Sequence, residues 1–447
     1  MKTWKTFIFL LVVFWVTSCS KELVNDQDSL EAGELKEAGE LKCAMPQMKI
    51  AFIGGLSYLD PSLMVDCLSA GSDFMNFISQ ENVVEELCKP ILDQALYQIL
   101  AEKPDMLFIT GELSYMGEKI SHEAVAGMLK KISEQGIKVF VIPGNNDINN
   151  PLAKAYNGNG SSPTPTVNDG EFETIYKDFG FNDAISRDPN SLSYLTPATK
   201  KVWILGIDAR IYPITSSTSS GLIKPETMEW IKYWLARAKE KNTTVLALCH
   251  HEVIEPWTEA AIYGPAYVIK NHVSVENDLT GAGLRVIFGA YANDITMVSR
   301  EENILNDICS VYLPSPPHSF RMIKMKPNSM KVETRYVTSI NSTIAGGADF
   351  LDYSNTCYLE RISRKFTLMC NGKPYYVPRG DVSTPGTADY YGLYFAKALH
   401  AFYAGDEQFP PEEEAVSQNW SEPFKHLLKS IYTDLPPSDI EYTIDMK

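Results

Sequence analysis

The sequence predicts an α/β fold built on a largely parallel, buried sheet. Two observations carry that expectation. From Lys49 to Ile142, short apolar runs alternate with longer segments of helical periodicity, in the order β-α-β-α-β. Five apolar runs along the chain also end in short turns, which is where an α/β sheet presents its chemistry.

The elements follow in order. Lys49 to Ile53 is a strand-like apolar run. Val83 to Lys103 has helical spacing, with Leu87, Ile91, Leu92, Ala95, Leu96 and Ile99 on one face. Asp105 to Thr110 is a second strand, Ser121 to Gln135 a helix with Ser121 as its N-cap, and Lys138 to Ile142 a third strand. Residues 157–170, rich in Gly, Ser, Thr, Pro and Asn, read as a long surface loop. Lys201 to Ile207 is a strand, and Pro225 to Lys241 a helix with proline in its first turn and an apolar face of Met228, Ile231, Trp234 and Leu235. Thr243 to Cys249 and Leu284 to Phe288 are buried strands, and Ser319 to Val337 alternates as a hairpin turning at Pro327-Asn328. After about residue 340 the texture changes: 341–388 reads as Gly-, Ser- and Thr-rich with short strands, followed by helices at 389–405 and 421–432. The expected organisation is therefore a main domain over 47–340 and a C-terminal α+β extension over 341–447.

Ahead of the main domain lies a targeting segment. Lys2 and Lys5 precede the apolar run Phe7 to Val16, which is too short to span a membrane. Val16-Thr17-Ser18-Cys19 resembles a bacterial lipobox, so residues 1–19 are expected to act as a lipoprotein signal with Cys19 lipidated. A lipid there anchors the chain to a membrane of the cell envelope, periplasmic or surface-exposed, without spanning it. Residues 20–46 contain a duplicated hexapeptide, Glu31 to Lys36 and Glu37 to Lys42, and read as a flexible tether.

A formal net charge of -16 argues against a sequence-independent nucleic-acid binder, which needs a basic stripe. No Cys-x-x-Cys pair occurs, which disfavours a zinc knuckle or a thioredoxin-type redox site. Cys67 with Cys88, and Cys357 with Cys370 around an expected hairpin, are pairs that an oxidising compartment would allow to bridge; buried free thiols are the alternative. No Walker motif or Gly-x-Ser-x-Gly elbow is present.

The five turns read Gly55-Leu56-Ser57, Gly111-Glu112-Leu113, Gly144-Asn145-Asn146-Asp147, Cys249-His250-His251 and Gly289-Ala290-Tyr291-Ala292. In order and context they resemble the calcineurin-like metallophosphoesterase family over roughly residues 47–320, most strongly in Lys103-Pro104-Asp105 through Gly111, in Pro143-Gly144-Asn145, and in the double histidine after a strand. Tyr58 to Leu63 and Asp147 to Pro151 are similar to one bacterial lipoprotein branch of that family. The resemblance implies two packed mixed sheets flanked by helices, and a two-metal centre for phosphoester hydrolysis in which carboxylates bridge the ions and imidazoles complete the shells.

Carried over position by position, that centre is degenerate. The family's Asp-x-His becomes Gly55 and Ser57. Its bridging aspartate becomes Glu112, one methylene longer, which displaces the carboxylate by on the order of 1 Å where working sites hold groups to about 0.5 Å. Asn145 keeps the asparagine of the third motif, but the histidine after it, which contacts phosphate and protonates the leaving group, is Asn146; losing a general acid costs about 10²–10⁴ in rate. Asp147, which orients that histidine in the family, remains. His250 matches the fourth motif, and both imidazoles of the fifth are replaced by Ala290 and Ala292.

A two-metal centre is therefore not expected; Glu112, Asn145 and His250 are left to hold at most one weakly bound divalent ion. The leading expectation is a metallophosphoesterase-like lipoprotein that is catalytically impaired or inactive and uses the cleft or its rim for binding. Two others stand beside it. One is a phosphatase or phosphodiesterase with a single metal at those three residues. The other is a surface protein- or glycan-binding lipoprotein in which the C-terminal extension makes the contact; the partners expected are a membrane through the lipid and a phosphorylated, glycan or protein ligand.

Overall fold

Apolar strands form the centre because their side chains are buried on both faces, as a parallel sheet covered by helices requires. The computed structural model describes residues 47–446 except 80, 82, 212–220, 373–375, 406 and 434. The signal 1–19, Cys19 and the tether 20–46 lie outside the described residues.

Two mixed sheets dominate. The first runs in the order Glu441–Asp445, Ser329–Tyr336, Ser319–Lys326, Met48–Ile53, Met106–Ile109, Lys138–Val141, its last three strands parallel. The second runs Ile295–Arg300, Asn303–Cys309, Val286–Gly289, Thr244–Cys249, Val202–Ile207, Tyr194–Pro197, Ser186–Arg187, parallel through its four central strands. The sheets meet face to face through one core, where Phe288 of the second lies 5.1 Å from Phe52 and 5.4 Å from Phe108 of the first, ring centre to ring centre. The outer face of the second sheet is covered by helices Pro225–Glu240 and His272–Gly281, whose Met228, Ile231, Leu235, Val275 and Leu279 are buried. This is the expected α/β architecture of two packed mixed sheets flanked by helices.

The helix Cys88–Glu102 stops at Lys103, whose φ of 50° is left-handed. Helix Lys119–Ser133 begins two residues before Ser121; Glu118 holds the cap position, and the Ser121 hydroxyl instead accepts the Asp60 N–H. The hairpin Ser319–Lys326 with Ser329–Tyr336 pairs as its alternation predicts.

Two stretches differ from the sequence expectation. Residues 157–170 are not one loop: Lys154–Asn157 and Gly160–Pro163 form a hairpin turning at Gly158, whose φ is +56°, and Asn168 opens helix Asp169–Ile175 with a capping box. In the second, the short strands expected within 341–388 are replaced by one long helix, Phe350–Asn371, capped by Asp349. Its buried Phe350, Ser354, Tyr358, Arg361 and Ile362 keep helical spacing, and Ser354 and Thr367 fall on its buried face. Cys357 and Cys370 share this helix, roughly 20 Å apart along its axis, so no hairpin brings them together. Both are free thiols, as are Cys67 and Cys88.

Helix Phe350–Asn371 packs on Ala388–Ala404, which in turn packs on Glu422–Ile431, in a third core rich in aromatic rings. That core includes Ala292, Trp257 and Val311, so the C-terminal helices sit directly on the fifth motif.

Candidate functional site

The site is made at the strand ends. After Met106–Ile109 the chain turns through Gly111, at φ +105°, and Glu112, at φ +39°. A Cβ on Gly111 would lie 2.6 Å from Gly144 N and 2.7 Å from His250 Nδ1, so glycine is what allows these loops to touch. His250 Nδ1 lies 2.6 Å from the Thr110 carbonyl, which can only accept, so Nδ1 carries hydrogen. Nε2 then faces Glu112 Oε1 at 3.3 Å. Both side chains are buried, and the Asn146 N–H donates to the two Glu112 oxygens at 3.3 and 3.2 Å. Burial pushes the Glu112 carboxyl up, while His250 pulls it back. A hydrogen between Nε2 and Oε1 would satisfy both groups, and Tyr312 Oη lies 3.5 Å from the same nitrogen.

Asp147 does more than orient a histidine. Its carboxylate accepts Leu113 N at 3.2 Å, Ser114 N at 2.9 Å, Ser114 Oγ at 3.1 Å and Gly144 N at 2.7 Å. It thereby clamps the second motif to the third. His122, fully buried, sits behind it, bonded to Ser114 Oγ, the Asp147 carbonyl and Tyr176 Oη. Burial holds this imidazole below its ordinary pKa.

The opposite side is different. Gly55 bridges to Tyr312, and a Cβ on Gly55 would lie 2.6 Å from Tyr312 Cδ1. The tyrosine ring therefore occupies the space that an aspartate at position 55 would need. Ser57 turns away and donates to Glu85 Oε2 at 3.1 Å. Ala290 and Ala292 are fully buried, and Ala292 lies under the C-terminal helices. Between them Tyr291, at φ +84°, places its ring 4.9 Å from His250, 5.3 Å from Tyr312, 5.5 Å from His251 and 5.7 Å from Tyr267. The Asn145 amide donates to Tyr291 Oη at 2.7 Å and meets His251 Nε2 at 2.9 Å.

Of the candidate residues, Glu112, Asn146 and His250 are thus brought into direct contact, and Ala290 N–H donates to the His250 carbonyl at 3.0 Å. Asn145 is joined to this group through the rings of His251 and Tyr291. Ser57 belongs to a separate buried pair with Glu85, and Cys19 lies outside the described residues. The sequence reading missed Tyr291 and Tyr312; the only available signal was a bulky residue between two alanines where the family alternates histidines.

These residues do not fit the two-metal centre that the resemblance implies. Gly55, Ala290 and Ala292 offer no side-chain donor, Ser57 is engaged elsewhere, and a tyrosine ring fills the space next to Gly55. Among the described residues, no third His, Cys, Asp or Glu atom joins Glu112 and His250 within 4.8 Å. No hydrolytic step through two metals follows from this arrangement.

Comparison with known proteins bears on the same loops. No curated protein sequence matches the chain. Among solved structures, a dimetal phosphatase from Danio rerio aligns with a TM-score of 0.45 and 13% identity over 65% of this chain and 97% of that one. A purple acid phosphatase, PPD1, from yellow lupin (Lupinus luteus) seeds aligns with a TM-score of 0.37 and 11% identity over 65% of this chain, which spans 52% of that protein. The structure of PhoD aligns with a TM-score of 0.37 and 10% identity, covering 72% of this chain and 78% of that one. The sequence profile of the calcineurin-like phosphoesterase family matches residues 75–289, starting after Ser57 and ending one residue before Ala290. Glu112, Asn145 and His250 lie inside that match, so residues 75–289 of this chain are similar to the calcineurin-like phosphoesterase family.

Proposed function

We propose that this chain is a lipid-anchored envelope protein whose phosphoesterase domain no longer performs two-metal hydrolysis, and whose cleft rim serves to bind a ligand. The observation that carries this reading is the Tyr312 ring lying where a metal-binding side chain at position 55 would have to stand. The loss of both imidazoles at Ala290 and Ala292, and of the acid at Asn146, supports it. So does the direct contact of Glu112 with His250 at 3.3 Å. The lipid anchor rests on Lys2, Lys5, the apolar run and Cys19. No helix among the described residues is long and apolar enough to cross a membrane. The ligand class, whether phosphorylated, glycan or protein, is part of the proposal; the likeness of these loops to those of phosphoesterases supports its phosphorylated form.

The test pairs metal analysis with phosphatase and phosphodiesterase assays in manganese, zinc and iron. The expected rate equals that of His250→Ala and lies far below the roughly 10 s⁻¹ of an ordinary enzyme. Two ions lost together on His250→Ala, with fast turnover in the wild type, overturn the proposal. A single His250-dependent ion with turnover selects the one-metal hydrolase instead. For the anchor, Cys19→Ala is expected to abolish acyl labelling; retained label on that variant overturns it.

A further inference from the structure

A second group of potential ligands lies outside the old cleft. Glu252 follows the double histidine, Asp294 precedes the strand Ile295–Arg300, and Cys309 ends the strand Asn303–Cys309. Asp294 and Cys309 meet where those antiparallel strands pair, and the Cys309 N–H donates to the Asp294 carbonyl at 2.9 Å. Glu252 is fixed from the other side, its N–H donating to the Tyr267 carbonyl and its own carbonyl accepting from Ile269, each at 3.1 Å. One ligand atom from each side chain lies within 4.8 Å of the other two. Their exposures are 1%, 3% and 0%.

Burial of such a group needs a compensating partner. Neither oxygen of Glu252 has a hydrogen-bond partner among the described residues. The Cys309 sulfur lies 3.5 Å from Asp307 Oδ1 and within 4.8 Å of a Glu252 oxygen. Asp307 itself is satisfied by the N–H groups of Val253 and Ile254 at 2.7 and 3.2 Å. The buried guanidinium of Arg321 donates to the carbonyl oxygens of Cys309, Asp294 and Asp439 and to Thr334 Oγ1. It adds one positive charge beside the group while bonding to the backbone rather than to Glu252. Two carboxyl groups and a sulfur converge there, which is an arrangement a cation can satisfy.

We propose that Glu252, Asp294 and Cys309 form a buried site for one divalent cation of borderline softness, with zinc as the natural fit. Two carboxylates and a thiolate suit zinc better than magnesium or calcium, which take oxygen alone. Asp307 Oδ1, beside the sulfur, is a further oxygen donor at hand. Binding releases the thiol proton, because only the thiolate ligates. The position is structural: it ties the loop after the double histidine to the two strands beneath Tyr291. It is independent of whether the cleft above hydrolyses anything.

The full chain is refolded from denaturant with zinc, freed of loose metal by brief chelator treatment, and analysed for metal per chain. One zinc per chain is expected, with cobalt in its place giving a thiolate-to-cobalt charge-transfer band. Glu252→Gln and Cys309→Ser should each weaken retention by at least about tenfold, since a lost direct ligand should cost no less than a lost supporting contact. His250→Ala should leave metal content unchanged, which separates this site from the cleft. A wild type that refolds cooperatively without bound zinc overturns the proposal, as does zinc retained equally by the Glu252 and Cys309 variants. If a variant does not fold, the wild-type cobalt spectrum still decides: no thiolate band means no such site.

Discussion

On one side of the cleft, Asp147 gathers four donors from the second and third motifs; on the other, Tyr291 and Tyr312 fill the ground where the first and fifth motifs would have met a metal. Both sides are packed, but by different means. The Asp147 side keeps its glycines, its left-handed turns and its hydrogen bonds, and the family profile spans it. The tyrosine side is held by ring contacts among His250, Tyr291 and Tyr312 instead. One carboxylate fixes the first side through hydrogen bonds, and aromatic packing fills the second.

The largest expected effect breaks the retained side. Asp147→Ala removes the acceptor for four donors, three of them backbone N–H groups, in a fully buried position. Each orphaned donor costs about 1–3 kcal/mol before relaxation, so a loss of ~4 kcal/mol in chemical denaturation is expected. A loss under about 1 kcal/mol would show that the clamp is incidental.

Next is a pH effect on the same side. Glu118 is buried at the head of helix Lys119–Ser133, and burial pushes its carboxyl up to about 7, against the Met116 N–H that favours the charged form. Unfolded, it titrates near its ordinary value of about 4.5. Between these values the folded chain holds the extra proton. The stabilising contribution is therefore complete below pH ~4.5 and is lost as pH rises through about 7. Glu118→Gln keeps the acceptor without the charge, so its stability should fall less over that window, leaving it ahead of wild type at pH 8 by at most about 3 kcal/mol. Parallel stability profiles for the two proteins would refute this.

The third effect tests the filled side. A Cβ at Gly55 would meet Tyr312 at 2.6 Å, so Gly55→Ala should cost about 1–3 kcal/mol by overpacking. In a Tyr312→Ala background the same change should cost about 1 kcal/mol less, a coupling that a double-mutant cycle reads directly. Additive costs would mean that Tyr312 is not what excludes a side chain at position 55.

How far this was legible in the sequence follows from the same comparison. The parallel strands announced themselves through apolar runs, and the glycine turns through their spacing, because both are local signals. The absence of ligands at Gly55, Ala290 and Ala292 was readable position by position. What took their place was not. Tyr312 reaches Gly55 across a gap of more than 250 residues, and Tyr291 reads as an ordinary aromatic until its left-handed backbone turns it toward His250. The helix Phe350–Asn371 was missed because Ser and Thr on its buried side mask an amphipathic period. Glu252 was passed over because its partners, Asp294 and Cys309, come from strands far along the chain.

The smallest effect is also the sharpest test of the contact between Glu112 and His250. In the folded chain the Thr110 carbonyl fixes hydrogen on His250 Nδ1, leaving Nε2 toward Glu112 Oε1 at 3.3 Å. If a proton bridges that gap, Glu112→Gln supplies the same hydrogen from its amide and leaves a carbonyl for the Asn146 N–H. It also removes a carboxyl that burial already disfavours in its charged form. The substitution should then be nearly neutral, within about 0.5–1 kcal/mol, since both hydrogen bonds are conserved. A metal-holding carboxylate behaves otherwise, because an amide is a much poorer ligand for a divalent ion and binding would drop with the charge. Nitrogen-15 spectra of His250 in wild type and variant check the same point: hydrogen on Nδ1 and an accepting Nε2 in Glu112→Gln support the bridge. A loss above about 2 kcal/mol, or a bound ion released by this substitution, would return Glu112 and His250 to the role of ligands.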